Sequence, residues 1–308
     1  MIKNYLKAAR LRTLPLSVSG IILGSILGNQ FFYENSIPNN NPSLFFSGIF
    51  WLAILTTMGF QILSNFANDY GDGIKGSDNN RTGEKRMVAS GSISPKQMKL
   101  AIIITTIVTL MTALLLIYIS FGIENFSFSI LFVVFGIASI VAAIKYTVGD
   151  FAYGYSGFGD VFVFIFFGLL SVVGSYFLFT KQFEGTIFLP AFSIGLLSTA
   201  VLNLNNLRDR EQDEKNHKNT LVVKLGEIKA KRYHCFLILG ALTFSLLYVF
   251  LDFRSIYQLI YLIAFIPLIK NIKTVAENKN PASLDSELRK VALSTFLFAI
   301  LFGIGQLF

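Results

Sequence analysis

The sequence predicts an all-α, polytopic membrane protein built as a bundle of nine transmembrane helices, and three observations carry that prediction. Of 308 residues, 53% are apolar and only 14% charged, against about 25% charged in an average soluble domain. The apolar residues, 32 Phe among them, gather into blocks of about 18 to 24 with almost no charge inside, the length a helix needs to cross the hydrocarbon core. Lys and Arg crowd into alternate connections between those blocks, as the topology of membrane proteins requires.

The first block, 14–31, follows a basic amino-terminal stretch as a secretory leader would. No small-x-small cleavage pattern follows it before Phe31 and Phe32, so it reads as a retained helix. The second, 44–67, runs into polar sequence at Asn65. The third, 98–120, and the fourth, 126–145, flank a short connection at 122–125, and the fourth ends on Lys145. The fifth, 160–180, and sixth, 185–206, flank 181–185, and the sixth also turns polar in its last turns. The seventh, 234–251, and eighth, 256–275, flank 252–255, and the ninth covers 290–308. One membrane domain over 1–308 is expected, with two Asp-rich motifs in cytoplasmic loops at 65–97 and 205–233.

An odd number of spans puts the termini on opposite sides. With the amino terminus cytoplasmic and the carboxyl terminus outside, 24 of the 26 Lys and Arg lie inside, and only Lys181 and Arg254 lie outside. That split fixes the expected orientation and accounts for the net charge of +8 with no nucleic acid as partner. The single cysteine, Cys235, excludes a disulfide framework, a four-cysteine zinc site and a Cys-x-x-Cys redox pair.

Acidic residues do not follow the positive-inside rule, so their placement is independent information. Fourteen of 18 fall on the same inner face, concentrated in two segments. The first contains Asn65, Asn68, Asp69, Asp72, Lys75, Asp78, Arg81 and Arg86; the second contains Asn205, Arg208, Asp209, Asp213 and Lys218. On a helix Asn68 and Asp72 share a face, as do Asn65 and Asp69, and Asn205, Asp209 and Asp213 form one stripe. Both segments thus carry an Asn-x-x-x-Asp element, a weak internal repeat.

Carboxylates clustered at helix ends repel one another and call for a cation. Oxygen donors suit a hard divalent ion such as Mg²⁺, commonly held by a few carboxylates together with substrate phosphates. The interleaved Lys75, Arg81, Arg86, Arg208 and Lys218 suit a diphosphate through charge-assisted hydrogen bonds. Composition alone leaves open whether such ions serve chemistry, transport or stability.

These residues resemble the intramembrane aromatic prenyltransferases of the UbiA superfamily over nearly the whole chain. Within it the sequence looks most like the bacterial 1,4-dihydroxy-2-naphthoate prenyltransferases of menaquinone biosynthesis. Four stretches carry the likeness: Ala9 to Pro15, Asn68 to Asp78, Lys145 to Asp160, and Asn205 to Asp209 with Lys218 to Val223. The broader superfamily pattern has an acid four residues after Asp72, where this chain has Gly76 and then Asp78; the naphthoate branch resembles it in that shift.

The resemblance implies a nine-helix bundle around a chamber open to the cytoplasmic side of a bacterial plasma membrane. Asn68, Asp69, Asp72, Asp78, Asn205, Asp209 and Asp213 would bind Mg²⁺, and the five cations together with Asn219 would bind a polyprenyl diphosphate. Asp72, Asp209, Asp213, Lys145 and Tyr146 are the expected catalytic residues. Departure of diphosphate would leave an allylic cation for the ring of 1,4-dihydroxy-2-naphthoate to attack with loss of carbon dioxide, in a chamber that excludes water. Tyr70, Tyr146 and Tyr153 are candidates to stabilise that cation. Lys224 to Arg232 would meet anionic membrane lipid, and His217 and His234, each without a second ligand at metal spacing, are expected to be structural. Other acceptors, namely 4-hydroxybenzoate, homogentisate or haem, fit the same Asp motifs. A transporter is the alternative outside enzymes, but a pathway should have polar residues near the midplane, whereas the acids cluster at one face and the midspan regions are almost uncharged.

Overall fold

The computed structural model describes residues 2–35, 44–76, 86–150 and 152–308. Among the described residues the secondary structure is helical without a strand, and nine helical stretches are long and apolar enough to cross a membrane, from Ile2–Phe32 to Pro281–Gly305. A short amphipathic helix α1 (Ile2–Ala9) precedes α2 (Leu14–Asn35), α3 (Gly48–Lys75), α4 (Pro95–Phe121) and α5 (Phe126–Lys145). The fifth span is composite: α6 (Gly159–Val163), a π-helical segment (Phe164–Leu170) and α7 (Ser171–Thr180). Then come α8 (Phe188–Lys215), α9 (Leu221–Leu251), α10 (Leu262–Glu277) and α11 (Leu284–Gly305).

Helix α8 is the hub. Of the apolar segment in its span 72% is buried, against 6% for α5, because α8 packs on α9, α11, the π-helical segment and α2. The main core lies around it, where Leu23, Ile194, Leu197, Ile238, Leu268 and Phe298 are almost fully excluded from solvent. Helix α5 packs on α3 and α4 and is a thin wall, with lipid-type apolar residues such as Val134 and Val141 exposed outside. Small residues set the closest approach. Gly20, Gly24 and Gly28, one turn apart on α2, face Ser171, Ser175 and Tyr176 of α7 so closely that a Cβ would collide, a small-residue seam of the kind that lets membrane helices touch backbone to backbone.

The apolar blocks locate all nine spans but underestimate the ends that carry the polar segments. The polar segments expected as loops at 65–97 and 205–233 are largely helix where described: α3 continues to Lys75, α8 to Lys215, and α9 starts at Leu221. Hydropathy marks where the side chains stop being apolar, whereas the helix ends where its backbone is capped. Gly76 caps α3 in the left-handed region (φ 72°), its N–H bonding the Asp72 carbonyl, and Thr220 accepts from the Val223 N–H to open α9. Helix α9 breaks its helical dihedrals at Gly226 (φ 73°). The ninth span likewise starts earlier than its apolar run, at Leu284 rather than 290, which brings Asp285 and Arg289 onto a rigid helix.

Candidate active site

A cavity of about 400 Å³ opens between the helices. It is lined by α2 through α8 and by α11, while α9 and α10 lie outside it and brace α8 and α11. Its deep walls are apolar and aromatic, with Phe132, Phe135, Phe166 and Leu170 among them. At the other end it is lined by Asn68, Asp72, Arg86, Tyr146, Asn205 and Lys218. Residues of both Asp-rich segments therefore border one space.

Helix α3 supplies the first set. Asp72 is buried; its Oδ1 accepts 2.8 Å from the Tyr155 hydroxyl and its Oδ2 lies 3.5 Å from the Arg86 guanidinium. Asn68, one turn earlier, accepts from the Thr147 hydroxyl at 3.2 Å, and Thr147 also donates to the Ala67 carbonyl at 3.1 Å. Asn65, another turn back, donates to the Ala9 carbonyl at 2.9 Å and so fastens the amino-terminal segment to α3.

The second set comes from α8. Asn205 lines the cavity, and its Oδ1 accepts from Arg208 at 2.8 Å. Arg208 also holds both oxygens of Asp209 at 2.8 Å. Asp213 lies 3.7 Å from the Lys218 ammonium, and that ammonium sits 5.4 Å from the Tyr155 ring centroid. Tyr146, at the end of α5, feels both sets: burial, then the negative charges of Asp160, Asp213 and Asp72, raises its phenol above the ordinary value. Tyr153 packs on it with centroids 5.3 Å apart, stacks on Phe162, and is raised by burial and by Tyr146.

Several expected site residues are placed otherwise. Asp69 is buried with both oxygens on backbone, accepting 3.0 Å from Met87 N–H and 2.8 Å from Val88 N–H; it anchors the segment after Arg86. Lys145 is exposed and off the cavity, because the stripe of α5 that lines it is Ser139, Ala142, Ala143 and Tyr146. Lys75 is exposed, donates to the Gly149 carbonyl at 3.0 Å and sits over the Tyr155 ring at 4.3 Å. Arg208 bridges Asn205, Asp209 and Asp285 and is not among the cavity-lining residues. Asn219 is exposed, and its backbone N–H bonds the Tyr155 carbonyl at 3.0 Å. In the run 224–232, Lys224 donates to the Ser156 carbonyl and Lys231 to the Asn278 carbonyl, so these two serve the protein's own backbone. Asp78 and Arg81 lie outside the described residues.

Sequence reasoning passed over Tyr155 and Asp285. Asp285, at the start of α11, pairs with Arg208 at 2.6 Å and with Arg12 at 3.7 Å. Arg10, Arg12 and Arg289 line the cavity as well. Asp285 and Arg289 are four residues apart, the spacing that would have put them on one face had the helix been read to begin before 290.

The remaining expected metal donors, Asn68, Asp72, Asn205, Asp209 and Asp213, offer oxygen only. Among the described residues no three His, Cys, Asp or Glu side chains converge as a ready-made metal cage. Such a set fits a hard cation that completes its shell with phosphate oxygens and water.

A fold of nine spans around an apolar chamber with an acid-and-base mouth is that of an intramembrane prenyltransferase, and the chain belongs to the UbiA prenyltransferase family, whose model matches residues 38–301. It is 41% identical over 307 residues to a 1,4-dihydroxy-2-naphthoate octaprenyltransferase of Haemophilus influenzae, covering 99% of this chain and 96% of that one. To the Escherichia coli enzyme of the same name it is 38% identical over 302 residues, 98% of this chain and 94% of that one. The fold is shared with a UbiA homologue of Archaeoglobus fulgidus solved bound to GPP and Mg²⁺, with a TM-score of 0.58 at 15% identity over 97% of this chain and 99% of that one.

Proposed function

We propose that this chain transfers a polyprenyl group from a polyprenyl diphosphate to 1,4-dihydroxy-2-naphthoate, with loss of carbon dioxide, giving the demethylated precursor of menaquinone. The observation that carries the reading is the single chamber bordered by both Asp-rich helices, in a chain 41% identical to a relative of that name. The strong inward bias of Lys and Arg supports a mouth facing the cytoplasm.

Asn68, Asp72, Asn205, Asp209 and Asp213 would hold Mg²⁺, which when bound supplies Lewis-acid stabilisation of the departing diphosphate. Arg86 and Lys218, both at the mouth, turn from carboxylate to phosphate and offset charge that grows as the allylic carbon–oxygen bond breaks and its electron pair leaves with the diphosphate. The prenyl tail lies along the apolar walls, which keep water from the reactive carbon. The faces of Tyr146, Tyr153 and Phe162, packed together at that end, favour positive charge near them. Arg10, Arg12 and Arg289 suit the acceptor's carboxylate. The ring carbon bearing that carboxylate forms the new bond to the allylic carbon, and carbon dioxide leaves as its bonding pair restores the aromatic ring.

The test is a panel of acceptors incubated with purified protein, Mg²⁺ and a polyprenyl diphosphate, with product mass and released carbon dioxide as readouts. Naphthoate prenylation with one carbon dioxide per product is expected. Prenylation of 4-hydroxybenzoate in preference, or tracer flux across vesicles without product, overturns the proposal.

A further inference from the structure

Arg208 touches two expected metal donors at once. Its Nη2 donates to Asn205 Oδ1 and Asp209 Oδ2, its Nε to Asp209 Oδ1, each at 2.8 Å, and its Nη1 to Asp285 Oδ1 at 2.6 Å. A buried guanidinium thus engages the side-chain oxygens of Asn205 and Asp209, a forked, planar cation that matches a carboxylate geometrically. Each of these oxygens keeps a further lone pair for a divalent cation, but the cation must share them with Arg208 and approach against its positive charge. A buried guanidinium that gives up its carboxylate needs another one, since an uncompensated charge in that position is costly.

The geometry points to Asp285 as that second counter-ion: a positioning residue that keeps Arg208 paired when Asp209 turns to metal, and so sets the divalent-cation affinity of the α8 half of the site. Asp285 is built for the exchange. It projects from the first turn of α11, a different helix from the donors it serves, and its two oxygens are divided, Oδ1 on Arg208 and Oδ2 on Arg12 at 3.7 Å. With about half of its side chain exposed beside a nearly buried Arg208 (46% against 5%), it already has the guanidinium at 2.6 Å and keeps it when Asp209 turns to metal. Asp209, Arg208, Asp285 and Arg12 then form a chain of alternating sign from α8 through α11 to the amino-terminal segment. The inference rests on the metal-binding reading of Asn205 and Asp209 and adds a residue outside both Asp-rich segments.

The test is a titration of the detergent-purified full chain with Mn²⁺, free ion followed by its EPR signal, with and without inorganic pyrophosphate. In Asp285→Asn, Arg208 loses one of the two carboxylates it meets among the described residues, competes harder for Asp209, and the Mn²⁺ dissociation constant rises about tenfold, the effect of one lost charge pair of about 1.4 kcal/mol. Asp285→Glu restores it to within about twofold of wild type. The double variant Arg208→Gln/Asp285→Asn, which removes the competitor, binds Mn²⁺ at least as tightly as wild type. Arg208→Lys keeps the charge but loses the fork and binds Mn²⁺ more tightly, an independent reading should Asp285→Asn fail to fold. Unchanged affinity in Asp285→Asn, a double variant no better than that single one, or no gain in Arg208→Lys overturns the role of Asp285. Wild-type protein that binds no Mn²⁺ even with pyrophosphate overturns the metal reading itself.

Discussion

The Tyr155 hydroxyl donates a 2.8 Å hydrogen bond to Asp72 Oδ1, and through its ring the same residue meets Lys75 and Lys218 at 4.3 and 5.4 Å. Lys218 in turn lies beside Asp213. One tyrosine in the connection between the fourth and fifth spans therefore ties the carboxylate of α3 to the segment following α8, and its own carbonyl is held by the Asn219 N–H.

Tyr155→Phe removes the bond to Asp72 and keeps the ring. Losing one charge-assisted hydrogen bond is worth about 1.5–3 kcal/mol, so kcat/KM for the polyprenyl diphosphate is expected to fall about tenfold or more. Tyr155→Leu also removes the surface on which the two lysines rest and should cost several times more. Steady-state kinetics at saturating acceptor decide it. Equal kinetics in the two variants would mean that the ring contributes nothing.

Asp72→Asn keeps an acceptor for Tyr155 while removing the charge offered to metal and to Arg86. Turnover is expected to drop by about 10² or more with the thermal midpoint little moved. Alanine is the poorer probe here, because Asp72 is buried and an emptied site would also take away the acceptor of the Tyr155 hydroxyl. Chelation by EDTA should abolish wild-type turnover, and added Mg²⁺ should restore it.

The nine spans were legible because each is a long apolar block, and both Asp-rich elements were legible because Asn-x-x-x-Asp recurs at helical spacing. What escaped notice follows from what a sequence pattern leaves out. Nothing in residues 145–160 distinguishes Tyr155 from Tyr153, since which of the two phenols meets Asp72 depends on a turn of 3-10 helix at Tyr153–Tyr155. Asp285 was hidden because hydropathy places the ninth helix at 290, six residues after its backbone begins. Asp69 and Arg208 look like ligands by composition, but backbone N–H groups and neighbouring carboxylates reach them first. Lys145 misled by adjacency: one residue before Tyr146, it lies about 100° round the helix from it.

A buried polar chain braces the helices behind the site. His234 Nε2 and Asn271 Oδ1 are 2.7 Å apart, Asn271 Nδ2 donates to Glu287 Oε2 at 2.8 Å, and Glu287 takes Lys290 on its other oxygen. These groups join α9, α10 and α11 two residues from Asp285. Asn271→Leu would strand a buried imidazole and leave one oxygen of the Glu287 carboxylate without its donor, a cost of about 2–4 kcal/mol. A clear fall in the thermal midpoint in detergent is expected. An unchanged midpoint would mean that the chain of bonds contributes no net stability.

The seam between α2 and α7 sets the width of the chamber from the opposite side, since Ser17 and Ile21 of α2 and Gly174 and Leu178 of α7 all line it. A Cβ on Gly24 would strike Ser175 Oγ and the Val172 carbonyl, and backbone cannot retreat as a side chain can. Gly24→Ala should therefore lower stability by about 1–3 kcal/mol, and Gly24→Leu should keep folded protein from accumulating. Gly48→Ala is the control, because nothing lies within 4 Å of a Cβ built there and its midpoint should not move. Helices forced apart at Gly24 would also widen the space that excludes water, so Gly24→Ala should release more free prenyl alcohol per transferred chain than wild type. Measuring both products in one reaction separates the two effects: lower stability with an unchanged alcohol fraction would show that the seam holds the fold without shaping the chamber.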